Sequence, residues 1–126
     1  MTQLGTRDEK LGNLVKYEEG THVGYTRKQV TANEASATSY EVGTVLGFDG
    51  TDYKISVAGA ADGSEVAAAI VLENIDLDAA TNTDVAVMFR GPASVSKDAL
   101  KIDASRSIDT VVSELEDLGI DTLTTV

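Results

Sequence analysis

The sequence predicts a single mixed α/β domain of mostly short β-strands, with one clear C-terminal helix and an extended N-terminal arm. Three observations lead to this expectation. Short apolar runs alternate with turn signals such as Asp49-Gly50 and Asp62-Gly63. Residues 107–118 carry apolar side chains at helical spacing. The first 26 residues keep neither a period of 3.6 nor a period of 2 for long, which favours an arm outside the core.

The expected strands are short apolar runs bounded by turn residues: residues 27–31, 42–48, 53–57, 67–73 and 85–90. The second and third should form a hairpin, with a turn wider than two residues around Asp49-Gly50. Residues 67–73 are rich in alanine, which favours a helix, but the run is short and its apolar end indicates a strand. Loops are expected at 32–39 and 76–84, and one helical turn at 96–100.

The predicted helix at residues 107–118 has one apolar stripe, formed by Ile108, Val111, Val112, Leu115 and Leu118. Ser107 is the expected N-cap, and Asp109 complements the positive end of the helix dipole. Gly119 stands where a residue of positive φ ends a helix, so Ile120 should fold back onto the last turn. The tail that follows is strand-like and should either close the domain or reach a neighbour.

Composition limits the function classes. The chain has 126 residues and no Cys, so it is expected to be one domain without disulfides or thiolate-held metals. No apolar run approaches the roughly 20 residues that span a bilayer. The first residues lack the apolar stretch of a secretory signal. We therefore expect no membrane partner and no export by the usual route.

The net charge of −11 is unevenly spread along the chain. Up to Asn33 there are five basic and four acidic side chains, whereas from Glu34 onward there are five basic and seventeen acidic ones, a net charge of −12. A domain of this sign repels phosphate, so direct binding of nucleic acid is disfavoured. The pattern indicates an acidic, solvated domain preceded by a nearly neutral arm.

Residues for catalysis or metal binding are scarce. The phosphate-binding, dinucleotide-binding, serine-hydrolase and zinc-protease motifs are all missing from the sequence. His22, the single histidine, lies among glycines in the arm, where nothing would hold it rigidly beside a carboxylate. Asp76 and Asp78 begin a loop that departs from the calcium-loop pattern, which leaves a weak cation site or a plain polar loop as alternatives. We expect no enzyme activity, no catalytic residue, no cofactor and no metal.

The order and spacing of several short segments resemble the lambda-type head decoration proteins of tailed bacteriophages. The matching segments are GTVLG at 43–47, the pair Tyr53-Lys54, the DGSE turn at 62–65, Arg90-Gly91 and LGI at 118–120. The resemblance covers residues 27–120. It implies a β-clip-like arrangement of short strands, and a division into an N-terminal capsid-binding arm (residues 1–26) and a decoration domain (residues 27–126).

The resemblance also implies a function. Such proteins bind the major capsid protein on the outer surface of an expanded phage head as homotrimers, and they stabilise the virion against the pressure of packaged DNA. The chain would be made in the host cytoplasm. The arm residues expected to bind the capsid are Leu11, Leu14, Val15, Tyr17, Val23 and Tyr25.

Two other functions remain open at this point. A non-catalytic fibre or adhesin-type surface module of a virion would also be acidic and rich in glycine, but it predicts internal repeats or a signal sequence. A nucleotide hydrolase on a trimeric β-clip scaffold predicts a glycine-rich, basic phosphate-binding segment. Neither set of features is found in the sequence.

Overall fold

The computed structural model describes residues 14–18 and 26–123. Within them the chain forms ten strands, one 3₁₀ turn and one α-helix. These are β1 (Val15–Glu18), β2 (Arg27–Ala32), β3 (Thr38–Tyr40), β4 (Val45–Phe48), β5 (Tyr53–Ile55), β6 (Ala67–Val71), β7 (Ile75–Leu77), β8 (Thr83–Met88), β9 (Ala93–Ser96), the 3₁₀ turn Lys97–Ala99, α1 (Ile108–Asp117) and β10 (Ile120–Leu123). The expectation of mostly short strands with one helix near the C-terminus is confirmed.

Five of the strands close into a barrel in the order β2-β5-β4-β6-β8. The longest ladder joins β2 to β8 in antiparallel register, from Arg27 opposite Met88 to Ala32 opposite Thr83. One apolar core belongs to these strands and the small β3–β7 sheet: Val30, Ala32, Tyr40, Leu46, Ala69, Val71, Leu77, Val85 and Val87. The β-clip arrangement implied by the resemblance stays a prediction.

A second layer covers one side of the barrel. It consists of α1 and a three-stranded sheet of order β1-β9-β10, in which β1 runs antiparallel and β10 parallel to β9. The second core lies between this layer and the barrel: Leu14, Val42, Val45, Ala67, Ile70, Leu72, Met88, Ala93, Val95, Ala99, Val111, Leu115 and Ile120. Strands β4, β6 and β8 therefore contribute to both cores, which explains why their sequences are nearly continuous apolar runs.

Strand β6 confirms the strand prediction for the alanine-rich segment. A bulge interrupts its pairing with β4, since Leu46 lies opposite Ala69 while Gly47 lies opposite Ala67. One extra residue shifts the alternation of side chains. Ala69 therefore joins the first core, whereas Ala67 and Ile70 join the second. Small side chains suit a strand that is covered on both faces.

The helix prediction is also confirmed, with one local difference. Val111 and Leu115 are fully buried, as the apolar stripe requires. Ser107 is the N-cap residue, but its side chain makes no capping hydrogen bond. Gly119 has a φ of +85°, and the fully buried Ile120 then begins β10. Residues 120–123 thus pair with β9 of the same chain.

The β4–β5 hairpin has the wide turn that was predicted. The Asp49 carboxylate accepts hydrogen bonds from the backbone N–H groups of Thr51 and Asp52, each at 2.8 Å. Its other oxygen lies 2.9 Å from Lys54 Nζ. The Asp52 N–H, the Lys54 ammonium and the Thr51 N–H hold the pKa of Asp49 down at about 2. The Asp49 carboxylate therefore stabilises the turn, and it stays ionised well below neutral pH.

Three strands lie in segments that were expected to be irregular. Strand β3 overlaps the predicted loop at 32–39, β7 overlaps the predicted loop at 76–84, and β9 begins at Ala93, after the predicted strand at 85–90, where no further strand was expected. Each has only three or four residues, and each is defined by pairing with a distant segment. Sequence periodicity over so few residues carries little information.

The segment around Leu14 differs from the expected arm. Leu14 is fully buried in the second core, and β1 pairs with β9 through Val15 opposite Val95 and Glu18 opposite Ala93. Residues 14–18 therefore pack on the domain. The placement of the domain boundary at residue 26 stays a prediction. Among the described residues, no helix has the length and apolar character needed to cross a bilayer.

Candidate functional site

The predicted capsid-binding residues divide into two groups. Leu14 is fully buried, and Val15 is half-buried and packs against the same core. The backbone of Tyr17 pairs with Ser94 in β9. Leu11, Val23 and Tyr25 lie outside the described residues. Leu14 is therefore buried in the core of its own chain. The capsid-binding role of the six residues stays a prediction.

The acidic loop residues were the alternative candidates for a cation site. Asp76 Oδ1 accepts a hydrogen bond from Ser39 Oγ at 2.7 Å, which joins the β3–β7 pair. Asn82 Oδ1 accepts one from Asn33 Nδ2 at 2.7 Å. Within residues 14–18 and 26–123, no three His, Cys, Asp or Glu side chains are grouped so as to hold a metal ion. His22 lies outside the described residues.

The first glycine of the GTVLG segment supports a close backbone contact. Gly43 has a φ of +101°, and a Cβ built on it would lie 2.1 Å from the carbonyl oxygen of Ala99. Its backbone N–H donates to the Val71 carbonyl at 2.9 Å, and its carbonyl accepts from the Lys101 N–H at 2.8 Å. A side chain here would separate the chain after the 3₁₀ turn from the barrel. The glycine is required by the fold.

Two other segments that carry the resemblance meet in space. The Gly91 N–H donates to the Leu118 carbonyl at 2.9 Å. A Cβ on Gly91 would lie 1.8 Å from the Gly119 carbonyl oxygen, so only glycine allows this approach. Arg90-Gly91 and the LGI segment therefore form one junction, where the end of α1 passes the start of the β9 segment. Their spacing along the sequence reflects packing rather than a reactive site.

A buried cation forms the centre of a polar cluster beside α1. Arg106 is 8% exposed, and its guanidinium donates to Ser56 Oγ, to the Glu65 carbonyl and to Glu114 Oε1. Glu114 Oε1 also accepts from the Ala67 N–H at 2.8 Å. The cluster connects α1 to the loop before β6 and to the barrel. Glu114 lies off the apolar stripe of α1, so the sequence predicts a solvated side chain for it, and no sequence pattern singles out Arg106.

A second polar contact is made by Tyr40 at the edge of the first core. Its hydroxyl donates to Glu34 Oε2 at 2.5 Å, and the Ile55 N–H donates to the same oxygen at 2.7 Å. Tyr40 is 1% exposed. Burial, followed by the hydrogen bond to the Glu34 carboxylate and its charge, raises the pKa of Tyr40 far above the usual value of 10.0. The folded protein therefore keeps this hydroxyl protonated.

This contact predicts a loss of stability in alkali. The folded-state pKa of Tyr40 is raised, so its contribution is fully present below the unfolded pKa of about 10 and is lost as the pH rises above it. The free energy of unfolding should fall by up to about 1.4 kcal/mol per pH unit above 10. Urea denaturation between pH 8 and 11 measures this slope. Tyr40→Phe should flatten it, whereas Tyr53→Phe, which keeps Tyr40, should retain the wild-type slope; equal slopes in all three proteins would contradict the assignment.

The described surface carries one cluster of aromatic and basic side chains. The rings of Phe48 and Tyr53 are 4.8 Å apart between centroids. Lys28 Nζ lies 4.4 Å from the ring centre of Phe89 and 5.9 Å from that of Tyr53. The Arg90 guanidinium lies 4.8 Å over Phe89. We call these five residues the aromatic patch.

Comparison with known proteins identifies the family. The family model described as bacteriophage lambda head decoration protein D matches residues 4–120. No curated protein and no solved structure matches the chain. The matched range includes every segment on which the resemblance rests. Three of those segments, GTVLG, Arg90-Gly91 and LGI, make the close backbone contacts described above. The chain therefore belongs to the lambda head decoration protein D family, and it is a phage head decoration protein that binds the exterior of the capsid.

Proposed function

We propose that this chain is a cement protein, which binds the outside of an expanded phage head as a homotrimer and stabilises it against the pressure of packaged DNA. The observation that carries the proposal is the family match over residues 4–120. The arrangement of charge supports it, because a net charge of −12 from Glu34 onward suits a surface that faces solvent. The proposal requires no catalysis, cofactor, nucleic acid or membrane.

The anchor that we propose is the chain before Leu14. Leu14 and β1 pack on the domain, so the residues proposed to bind the shell are those that precede them in the sequence. Leu11 belongs to this anchor, while Val23 and Tyr25 are proposed to contact the shell from the segment between β1 and β2. Pairing of an extended segment with an exposed strand edge gains main-chain hydrogen bonds worth about 1 kcal/mol each.

One anchor of this kind binds weakly, because ordering a free chain costs about 1–2 kcal/mol per residue. A trimer presents three anchors, so the second and third contacts become intramolecular. Linked binding of this type raises avidity by about 10²–10⁴-fold without any new contact. A trimer that engages several capsid subunits at once would hold them together as the head fills. Trimerisation and anchoring are therefore coupled in the proposed mechanism.

Removal of residues 1–13 tests the anchor. The truncated protein keeps Leu14 and β1, so its thermal unfolding should match that of the full chain. Its affinity for expanded, undecorated heads should fall by at least about 100-fold, because all three anchors are lost together. Co-sedimentation with purified heads measures this, with wild-type protein as reference. Wild-type affinity of the truncated protein would show that the folded domain carries the binding surface.

The stabilising role is tested on the particles themselves. Filled heads decorated with wild-type protein should keep their DNA at temperatures at which undecorated heads release it, and the truncated protein should give no protection. Image reconstruction of decorated heads reports whether three copies cluster at each site. Decoration by single, separated copies would contradict the trimer.

A further inference from the structure

The barrel is closed between β2 and β5 by very little backbone pairing. The two strands run parallel and pair at a single position, Ala32 opposite Tyr53, and the Asn33 N–H donates to the Tyr53 carbonyl at 3.0 Å. The other ladder of β2, with β8, has six residue pairs. The β6–β8 joint has two pairs and is continued by the Leu72 N–H, which donates to the Ala86 carbonyl at 2.9 Å. The β2–β5 joint is therefore the least paired part of the barrel.

A side chain takes the place of the next backbone pairing at this joint. Alternate residues of a strand bond to the same parallel neighbour, so Ile55 is the next residue of β5 that needs a partner on this side. Its N–H donates to Glu34 Oε2 at 2.7 Å, and the Tyr40 hydroxyl donates to the same oxygen at 2.5 Å. Strand β2 ends at Ala32, so the Glu34 carboxylate supplies the acceptor that a longer strand would supply.

The backbone around Glu34 is attached to the other side of the joint. The Glu34 carbonyl accepts the Ala80 N–H at 2.7 Å, and Asn33 Nδ2 donates to Asn82 Oδ1 at 2.7 Å. Ala80 and Asn82 lie between β7 and β8, and β8 is the partner of β2 in the long ladder. The Glu34 carboxylate is thus positioned from the β2–β8 side, and these contacts do not depend on β5.

The surroundings of the joint leave room for β5 to move. An open groove of about 320 Å³ borders Ile55, where the ladder stops, and Ser39 and Ile102 also line it. The β6–β8 joint differs, because its paired residues Ile70 and Met88 belong to the second core, under the layer that contains α1. Strand β5 can therefore separate from β2 towards solvent, whereas β6 and β8 are held together under a packed layer.

We propose that the Glu34 carboxylate is the latch of the barrel, and that β5 separates from β2 in a local opening of the folded domain when this latch releases. The open form keeps the β2–β8 ladder and the second core, and it exposes Tyr53, Ile55 and one edge of β5. Local openings occur where backbone hydrogen bonds are few and solvent is close. An unpaired strand edge is a template for pairing with another strand, so the latch controls how often the domain presents one.

Native-state hydrogen exchange of the full-length protein tests the opening. The amides of Asn33 and Ile55 should have protection factors at least about tenfold lower than those of the bonded amides in the β2–β8 ladder. Their exchange should also depend less on urea, because a local opening exposes less surface than complete unfolding. Equal protection and equal urea dependence at the two places would show that the joint opens only when the domain unfolds, and the proposal would be wrong.

Substitution of Glu34 tests the latch. Glu34→Ala should lower the protection of the Ile55 amide by about tenfold or more relative to the β2–β8 ladder, and Glu34→Gln, which keeps one acceptor oxygen, should have a smaller effect in the same direction. Tyr40→Phe leaves the carboxylate on Ile55, so the ratio of the two protections should stay near that of wild type. Glu41→Ala removes an exposed carboxylate beside the same groove and is the matched control.

Three results would overturn the role of Glu34. The first is wild-type protection of Ile55 in Glu34→Ala. The second is an equal loss of protection at the joint and in the β2–β8 ladder, which would indicate only general destabilisation. The third is a Tyr40→Phe variant that opens the joint as much as Glu34→Ala, since the hydroxyl rather than the carboxylate would then close the barrel.

Discussion

Replacement of Glu114 by alanine should lower the free energy of unfolding by about 3–5 kcal/mol. Glu114 is the carboxylate that pairs with the buried Arg106 guanidinium, and it also accepts the Ala67 N–H at 2.8 Å. Its removal leaves a cation inside the protein without a counter-charge and a backbone donor without its partner. The loss of stability arises mainly because the Arg106 guanidinium and the Ala67 N–H are left buried without Glu114, and less from the intrinsic strength of the ion pair.

Urea denaturation of wild type and variant measures this effect, and the same helix supplies the control. Glu116 is exposed two residues further along α1, so Glu116→Ala should change stability by less than about 0.5 kcal/mol. Replacing both partners, as Arg106→Met with Glu114→Leu, should recover much of the loss, because no charge then remains buried. A Glu114→Ala variant as stable as Glu116→Ala would show that Arg106 finds other partners.

Leu14→Ala should cost about 2–5 kcal/mol, which is the range for a leucine removed from a packed core. Leu14 is fully buried in the core that includes Val95, Leu115 and Ile120. A leucine on a free arm would contribute nothing to the unfolding transition. Thermal or chemical denaturation of the isolated protein therefore decides whether the domain begins before β2.

Leu123→Ala is the matched control for this variant. It removes the same atoms from a residue that is 46% exposed on β10, in the sheet that also contains β1. Its effect should stay below about 0.5 kcal/mol. If Leu14→Ala is as mild as Leu123→Ala, residues 14–18 are not part of the cooperative unit, and the anchor would extend to residue 26.

The elements that the sequence predicted correctly are those whose signals are local. The apolar stripe of α1 spans three turns, and Gly119 marks its end in the same window of sequence. The β4–β5 hairpin carries its own turn chemistry in Asp49. Strand β6 could be distinguished from a helix because the run was short and ended in branched residues. Each of these three elements is predicted from residues that are neighbours in the sequence.

The missed elements depend on distant partners. Strand β1 is defined by β9, which lies almost 80 residues further along the chain, and β9 in turn binds β10 on its other edge. Leu14 lies among scattered apolar residues, with Leu11, Val15 and Tyr17 nearby, and their spacing holds neither a helical nor a strand period long enough to mark a core element. A strand of four residues that is paired only at long range leaves no periodic pattern to detect.

The candidate surfaces were predictable only in part. Family membership followed from the order of short segments, and the structure explains three of them by close backbone packing, at Gly43 and where Gly91 meets the LGI segment. The aromatic patch could not be foreseen, since Phe89 alternates with Val85 and Val87 as a core residue would. Only the distances from Lys28 to the rings of Phe89 and Tyr53 reveal the cluster.

The sheet β1-β9-β10 also determines where the chain enters and leaves the domain. Val15 and Thr122 pair with the same residue, Val95, from its two sides. Strands in a sheet are about 4.8 Å apart, so residues 15 and 122 are separated by about 10 Å. A short linker could therefore join the two ends, and the domain could be circularly permuted by opening the exposed turn at Gly50. A protein fused after Leu123 would begin beside the first residues of β1. It would therefore lie near the segment that is proposed to bind the shell.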